Sequence, residues 1–161
     1  MNLWLRLLWV YWRAFRGKRL GLLEVSVVPL IVLPGDLDIY GHMNNGRYLT
    51  LMDLGRMDLL FRTGMGKIAG KHRWGPLVGQ VTIRYRKSLK LFQPFEIHTR
   101  ITGWDEKWFY IEQTFRRGRR ELASASVQGL FRGPDGNVKP ESVLHALHFN
   151  GKNPFLSVSA P

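Results

Sequence analysis

The segment that most constrains this chain runs from Asn44 or Asn45 to Arg62. Its apolar residues (Tyr48, Leu49, Leu51, Met52, Leu54, Met57, Leu59, Leu60 and Phe61) cover most of a helix circumference. A surface helix carries one apolar stripe, so a helix apolar nearly all round has to be buried, and the rest of the chain must supply what buries it. Asparagine at its start and Gly64 at its end are cap residues that give the segment defined ends.

The cover is legible downstream. Val81 to Arg86 and Phe95 to Ile101 alternate apolar and polar residues, the period of a half-buried strand. Trp108 to Phe115 and Leu122 to Arg132 make two more strands, with Arg116-Arg117-Gly118-Arg119-Arg120 as the hairpin turn between them. Ala123, Ala125, Val127 and Gly129 place small side chains on one face, as a sheet must where something bulky lies against it. Upstream, Glu24 to Leu33 is β-rich, and Pro29 makes it an edge or bulged strand before Pro34-Gly35 breaks it. Met65 to Pro76 reads as a connection, Gly133-Pro134-Asp135-Gly136 ends the fourth strand, and Glu141 to Leu147 makes a short helix. One strand, one buried helix and an antiparallel meander describe an α+β domain in which a curled sheet wraps the helix. At 161 residues a core of this kind needs no metal or disulfide. The expected division is an amphipathic helix over 1–19, a single domain over 20–150 and a tail over 151–161.

Residues 1–16 (MNLWLRLLWVYWRAFR) are apolar nearly all round, with Asn2, Arg6, Arg13 and Arg16 on one helical stripe. Arg6 and Arg13 interrupt a run that would need about 20 apolar residues to span a bilayer, and no small-residue cleavage site follows. Two readings stand. The helix lies on the inner face of an anionic membrane, with Trp4, Trp9 and Trp12 at headgroup depth and the arginines, Lys18 and Arg19 on lipid phosphate; or it packs on its own domain or on a partner subunit. The expected setting is the cytoplasm in either case.

Lys and Arg number 24 against 12 Asp and Glu, a net charge of +12 that draws nucleic acid, anionic lipid or a polyphosphorylated ligand. No nucleic-acid motif or stacked-aromatic pattern accompanies the charge, so nucleic acid is not an expected partner. Cysteine is absent, which removes thiol nucleophiles and cysteine-based zinc sites. There is no Gly-x-Ser-x-Gly elbow and no Gly-rich phosphate loop. His145 and His148 lack a third ligand, so no metal is expected.

The chemistry-bearing residues concentrate in Asp36-Leu37-Asp38-Ile39-Tyr40-Gly41-His42-Met43-Asn44-Asn45-Gly46-Arg47-Tyr48, immediately before and into the buried helix. Backbone N–H groups at Asn44, Asn45 and Gly46 would open that helix, where its dipole favours an anion or a polarised carbonyl. Asp36, two residues before Asp38, would point to the same side in an extended loop. Both aspartates also fit a bland role as turn or helix caps, and Asn44 fits a cap or loop brace.

This pattern of acid-x-acid, Gly-His, Asn-Asn and Tyr resembles the hotdog-fold thioesterases, in the 4-hydroxybenzoyl-CoA thioesterase-like branch. Leu91 to Glu112 (LFQPFEIHTRITGWDEKWFYIE) is similar to the subgroup called thioesterase superfamily member 6, and the resemblance covers residues 24–132. It implies a homodimer or homotetramer with acyl-CoA sites between subunits and no cofactor. The implied reaction is hydrolysis of a fatty or aromatic acyl-CoA to the free acid and coenzyme A, with Asp38 as general base or nucleophile. The alternative is a non-catalytic member that binds acyl ligands or assembles at a membrane. Asp36, His42, Tyr48 and Asp53 would position substrate or support the loop. Arg84, Arg86 and Lys87 on one strand, or the Arg116 to Arg120 turn, would meet the coenzyme A phosphates. The Asp, Asn-Pro, His pattern of hydratases of this fold is missing near Asp38 and His42.

Overall fold

Two helices lie against each other in the computed structural model, which describes residues 2–154: α1 (Asn2–Arg16) and α2 (Asn45–Thr63). The all-round apolarity of α2 follows from having cover on two sides. On one side lies a curled antiparallel sheet of β1 (Ser26–Ile31), β2 (Gly75–Tyr85), β3 (Pro94–Trp104), β4 (Phe109–Arg117), β5 (Arg120–Gly133) and β6 (Gly136–Val138). On the other lies α1, whose Val10 is fully buried in the same core as Leu51, Met52 and Leu54 of α2. The strand order is β1-β3-β4-β5-β2, with β6 paired to β5. This is the hotdog arrangement expected above. Asn44 caps α2 by accepting the Gly46 N–H at 2.8 Å, and Gly64 ends it in the left-handed conformation at φ +84°.

The register aligns rows of side chains beneath α2. Val28, Ile97, Phe115 and Ala123 form one row, and Ile101, Ile111 and Val127 another. Between them runs a polar row of Ser26, Thr99 and Gln113, all fully buried. Gln113 donates to Met52 O and to Thr99 Oγ1, both at 2.9 Å, and accepts from Arg56 at 2.6 Å. Ser26 donates to Asp58 Oδ2 at 2.6 Å. Each buried polar group is thereby matched, which removes the cost of desolvating it unpaired. Gly55 of α2 sits directly on this row: a Cβ there would lie 2.6 Å from Thr99 Oγ1 and 3.0 Å from Gln113 Nε2. Ala123 and Ala125 on β5 face the helix, as their size predicts.

Of the two readings of α1, packing on its own domain holds for most of the arginine stripe, and only Arg16 stays exposed. Arg6 and Arg13, two turns apart, turn inward: Arg6 donates to both carboxylate oxygens of fully buried Asp36 (2.7 and 3.2 Å), and Arg13 pairs with fully buried Asp58 at 3.2 Å. Each also caps a carbonyl on the outer edge of β1, Arg6 that of Ile31 at 2.8 Å and Arg13 that of Val27 at 2.7 Å. Pro29, which has no N–H to leave unpaired, sits between them, so β1 is the edge strand its proline required. The aromatic residues of α1 are left on the outside. No helix among the described residues is long and apolar enough to cross a membrane.

Three elements lie beyond the periodicity. α3 (Met65–His72) replaces the expected connection; it contains two glycines and buries only Met65 and Ala69, too short a pattern to register. Gly133 to Gly136 does not terminate the sheet but turns it back into β6, with Gly136 at φ +113°. β2 starts at Gly75 instead of Val81, because its first half is exposed on both faces and bulged between Val78 and Gln80. The short helix is α4 (Pro140–Ala146), whose Val143 and Leu144 join a second apolar cluster around Leu59, Trp104 and Phe131. The expected tail falls partly outside the described residues.

Two predictions concern stability. Gly55→Ala should destabilise the fold by about 1–3 kcal/mol by overpacking the polar row, measured by urea unfolding against wild type; an unchanged midpoint would contradict the close helix–sheet contact. Burial alone would raise the Asp36 carboxyl, but hydrogen bonds from Arg6, the Leu33 N–H and Arg47, with the Arg6 charge, outweigh it and hold the pKa below the ordinary aspartate value. A pKa lowered on folding adds stability that is present above the unfolded value of about 3.9 and is lost as pH falls through the folded one. Asp36→Asn, which leaves buried Arg6 without its counter-charge, should therefore cost about 3–5 kcal/mol at neutral pH. It should also flatten the acid limb of the stability profile, and an acid limb as steep as wild type would refute the assignment.

Candidate active site

The segment before α2 folds as a narrow hairpin. Asp36 O accepts the Asn44 N–H at 2.8 Å, Leu37 bridges Met43, and Asp38 N–H donates to His42 O at 2.8 Å. The turn itself is closed by the Gly41 N–H on Asp38 O at 3.1 Å. Gly41 adopts φ +72°, which a side chain would disfavour. The hairpin is stitched to its neighbour through Met43 N–H to Leu89 O at 2.8 Å and the His42–Lys90 bridge.

Asp38 is half-buried on this hairpin. Its Oδ1 accepts the N–H groups of Tyr40 (2.9 Å) and His42 (3.2 Å), while Oδ2 makes no hydrogen bond to a described residue. The carboxylate is thus oriented by one oxygen and available through the other. Asp36 is not a second acid beside it. The two side chains diverge: Asp36 points inward, where Arg6, the Leu33 N–H and Arg47 (2.8 Å) use both oxygens. The expectation that both would face one side assumed an extended loop, whereas Asp36 ends a short 3-10 turn at Pro34–Asp36.

The three expected oxyanion donors separate in the same way. The Asn44 N–H is taken by Asp36 O and the Gly46 N–H by Asn44 Oδ1 at 2.8 Å, so neither is free for substrate. Asn45 N–H has no partner among the described residues, and neither does Asn44 Nδ2, which points away once Oδ1 is engaged. His42 works through its main chain, and its half-buried ring makes no hydrogen bond to a described residue. Tyr48 is a brace: buried against Phe115 and Tyr85, its hydroxyl accepts the Leu89 N–H at 3.3 Å, and burial pushes its pKa up. Tyr85 donates to Asn45 O at 3.0 Å and fixes the first turn of α2.

Asp53 stands apart from the hairpin. It is exposed, ion-paired with Arg56, and with that arginine borders a cavity of about 100 Å³ beneath α2 whose other walls are apolar, among them Met57, Leu60, Leu77 and Phe109. The proposed phosphate residues also divide. Arg86 pairs with Glu121 at 2.9 Å and Arg84 is exposed on β2, but Lys87 joins Lys90, Arg117 and Arg120 around a recess of about 430 Å³. Lys90 escaped the sequence reading because it lies on an irregular loop; only the bridge to His42 brings it beside the hairpin. The four cations converge from the loop after β2 and from the adjoining ends of β4 and β5, with no carboxylate on the walls of the recess.

A family model described as the thioesterase-like superfamily matches residues 32–142, which takes in the hairpin, α2 and all the strands after β1. Protein THEM6 of Danio rerio is 41% identical over 83% of this chain and 68% of its own length. Protein THEM6 of Xenopus laevis is 36% identical over 74% of this chain and 66% of its own length, so the chain spans about two thirds of these relatives. Among solved structures, the probable thioesterase YbaW of Escherichia coli superposes with a TM-score of 0.70 at 20% identity, over 79% of this chain and 99% of that one. By the extent of the family match and the identity to these relatives, the chain belongs to the thioesterase-like superfamily.

Proposed function

We propose that this protein hydrolyses acyl-CoA thioesters with Asp38 as the acting carboxylate. The observation that carries this reading is a carboxylate held by backbone N–H groups through Oδ1, with Oδ2 open, on a hairpin that leads directly into the N-terminus of a buried helix. A thioester needs little acid help at its leaving group, because a thiol has a pKa near 8.5. Two devices then suffice: a base or nucleophile at the carbonyl, and donors for the oxyanion. Oδ2 either takes a proton from the attacking water or attacks the carbonyl itself. Asn45 N–H and Asn44 Nδ2 stabilise the oxyanion, aided by the helix dipole. The C–S bond breaks and coenzyme A leaves as the thiolate; where Oδ2 has attacked, water then cleaves the resulting acyl–Asp38 anhydride, which frees the acid and restores the carboxylate.

The recess of Lys87, Lys90, Arg117 and Arg120 receives the coenzyme A phosphates, in place of the strand trio Arg84, Arg86 and Lys87. Converging cations with no carboxylate on the walls repel one another until an anion joins them. The cavity bordered by Asp53 takes the acyl group, and its apolar walls suit a fatty or aromatic chain. A second copy pairs along β2, the edge of the sheet opposite β1. A catalytic role for Asp53 is the second reading, favoured only by its place at the cavity mouth.

Free-thiol release from short, medium, long and aromatic acyl-CoAs tests the assignment. Asp38→Asn should lower kcat on the order of a hundredfold or more, with Asp53→Asn close to wild type; the reverse pattern would move the acid to Asp53. If wild type releases no thiol from any of them, the hydrolase reading fails. For the phosphate recess, Arg117→Glu should raise KM for acyl-CoA about tenfold with kcat unchanged. S-acyl-N-acetylcysteamine, which has no phosphate, should react equally with both proteins. An equal KM for acyl-CoA would exclude the recess.

A further inference from the structure

With Arg6 and Arg13 turned inward, α1 presents its aromatic face to the outside. Trp4 is 74% exposed, Phe15 84% and Leu8 64%, and Leu5, Tyr11 and Trp12 are exposed beside them. Large apolar side chains in one contiguous stripe mark a surface that meets something. The opposite face is fixed to the domain by two arginine–aspartate pairs. This helix therefore cannot roll to hide its tryptophans without breaking both.

We propose that α1 docks flat on an anionic lipid surface, aromatic face inward to the lipid, and that this brings the Asp38 hairpin to the same surface. Three observations favour lipid over a second copy of the chain. The first is composition: three tryptophans and a tyrosine combine an apolar ring with a polar N–H or O–H, the pattern of side chains that sit at headgroup level. The second is charge. α1 contains no carboxylate, and its end continues into exposed Arg16, Lys18 and Arg19, with the Arg16 guanidinium 4.5 Å over the Trp12 ring. Two copies face to face would bring these cations together, whereas lipid phosphates neutralise them.

The third is continuity with the hairpin. α1 runs antiparallel to β1, so its N-terminal half lies over Ile31 and the start of the hairpin, as the Arg6 bonds to Ile31 O and Asp36 show. At that end the hairpin tip exposes Ile39 (92%) and Tyr40 (79%). The adjoining loop exposes Leu91 and Phe92, held there by Phe92 N–H on Val32 O at 3.0 Å. An open groove of about 470 Å³ runs between α1 and the end of β1, lined by Leu5, Trp9, Leu30, Ile31 and Leu33 with Arg6. An acyl-CoA held at the bilayer surface would then meet the Asp38 hairpin there. That last step rests on the hydrolase reading above; the docking of α1 does not.

Sedimentation with vesicles of phosphatidylcholine, with and without phosphatidylglycerol, tests docking. Wild type should sediment with the anionic vesicles. The triple variant Trp4→Ser, Leu8→Ser, Phe15→Ser, altered only at outward positions, should keep its unfolding midpoint and lose binding at least about tenfold. Its thiol release from a short-chain acyl-CoA in solution should equal wild type, which separates a failure of docking from a failure of the hydrolase reading. Wild type remaining in the supernatant, or a triple variant that binds equally well, would overturn the proposal. So would self-association of wild type without vesicles that the triple variant abolishes, because a second copy would then be the cover.

Discussion

The carboxylate of Asp36 is the point to which the other parts of the site end are tied. Its two oxygens receive Arg6 from α1, Arg47 from the first turn of α2 and the N–H of Leu33, just past the end of β1, while its own carbonyl holds Asn44 at the start of α2. Three elements and the base of the hairpin therefore share one buried anion. A carboxylate in that position is costly to desolvate, and it is stable only because two guanidinium groups and a backbone donor satisfy it together. The geometry of the neighbouring Asp38 follows from this fixture. A hairpin whose base is immobile can present an unpaired carboxylate oxygen at a constant place, which a loop free at its base could not do.

Around α2 the physical demands differ from face to face. Toward α1 it offers Asp58, held by Arg13, Arg62 and Ser26. Toward the sheet it offers Gly55, which lets the backbone approach a row of matched polar groups. Apolar packing alone would let such a helix slide or rotate along the sheet. The matched row fixes one register, because any shift would strand Gln113 or Thr99 without a partner. The cavity beneath the second half of the helix exists within this fixed frame, bounded by Leu60 on one side and Phe109 on the other.

Much of this was readable from the chain. The buried helix with its Asn44 and Gly64 ends, the four later strands and the small face of Ala123 and Ala125 all follow from periods of 3.6 and 2. Local pattern failed where the decisive partner is distant. Arg6 and Arg13 look like the polar stripe of a surface helix until Asp36 and Asp58 are placed, 30 and 45 residues away. Asp36 and Asp38 are the same residue type two positions apart, and nothing local says which will be buried among arginines. The cations of the basic recess come from two places that the sequence offered as alternatives, Lys87 from the Arg84, Arg86 and Lys87 trio and Arg117 and Arg120 from the hairpin turn, and only the fold brings them together and adds Lys90. α3 and β6 were lost for a simpler reason, since eight and three residues carry too little period to read.

The inverted orientation of α1 also sets the order in which this protein can assemble. Its tryptophans and arginines are synthesised before any of the residues that anchor them. Arg6 acquires its acid only when Asp36 follows, and Arg13 must wait for Asp58, well inside α2. Until then an aromatic, cationic helix with no acid of its own stands without a partner from the domain. α1 can therefore dock through these pairs only after both acids have been made, and its aromatic face stays outward even then.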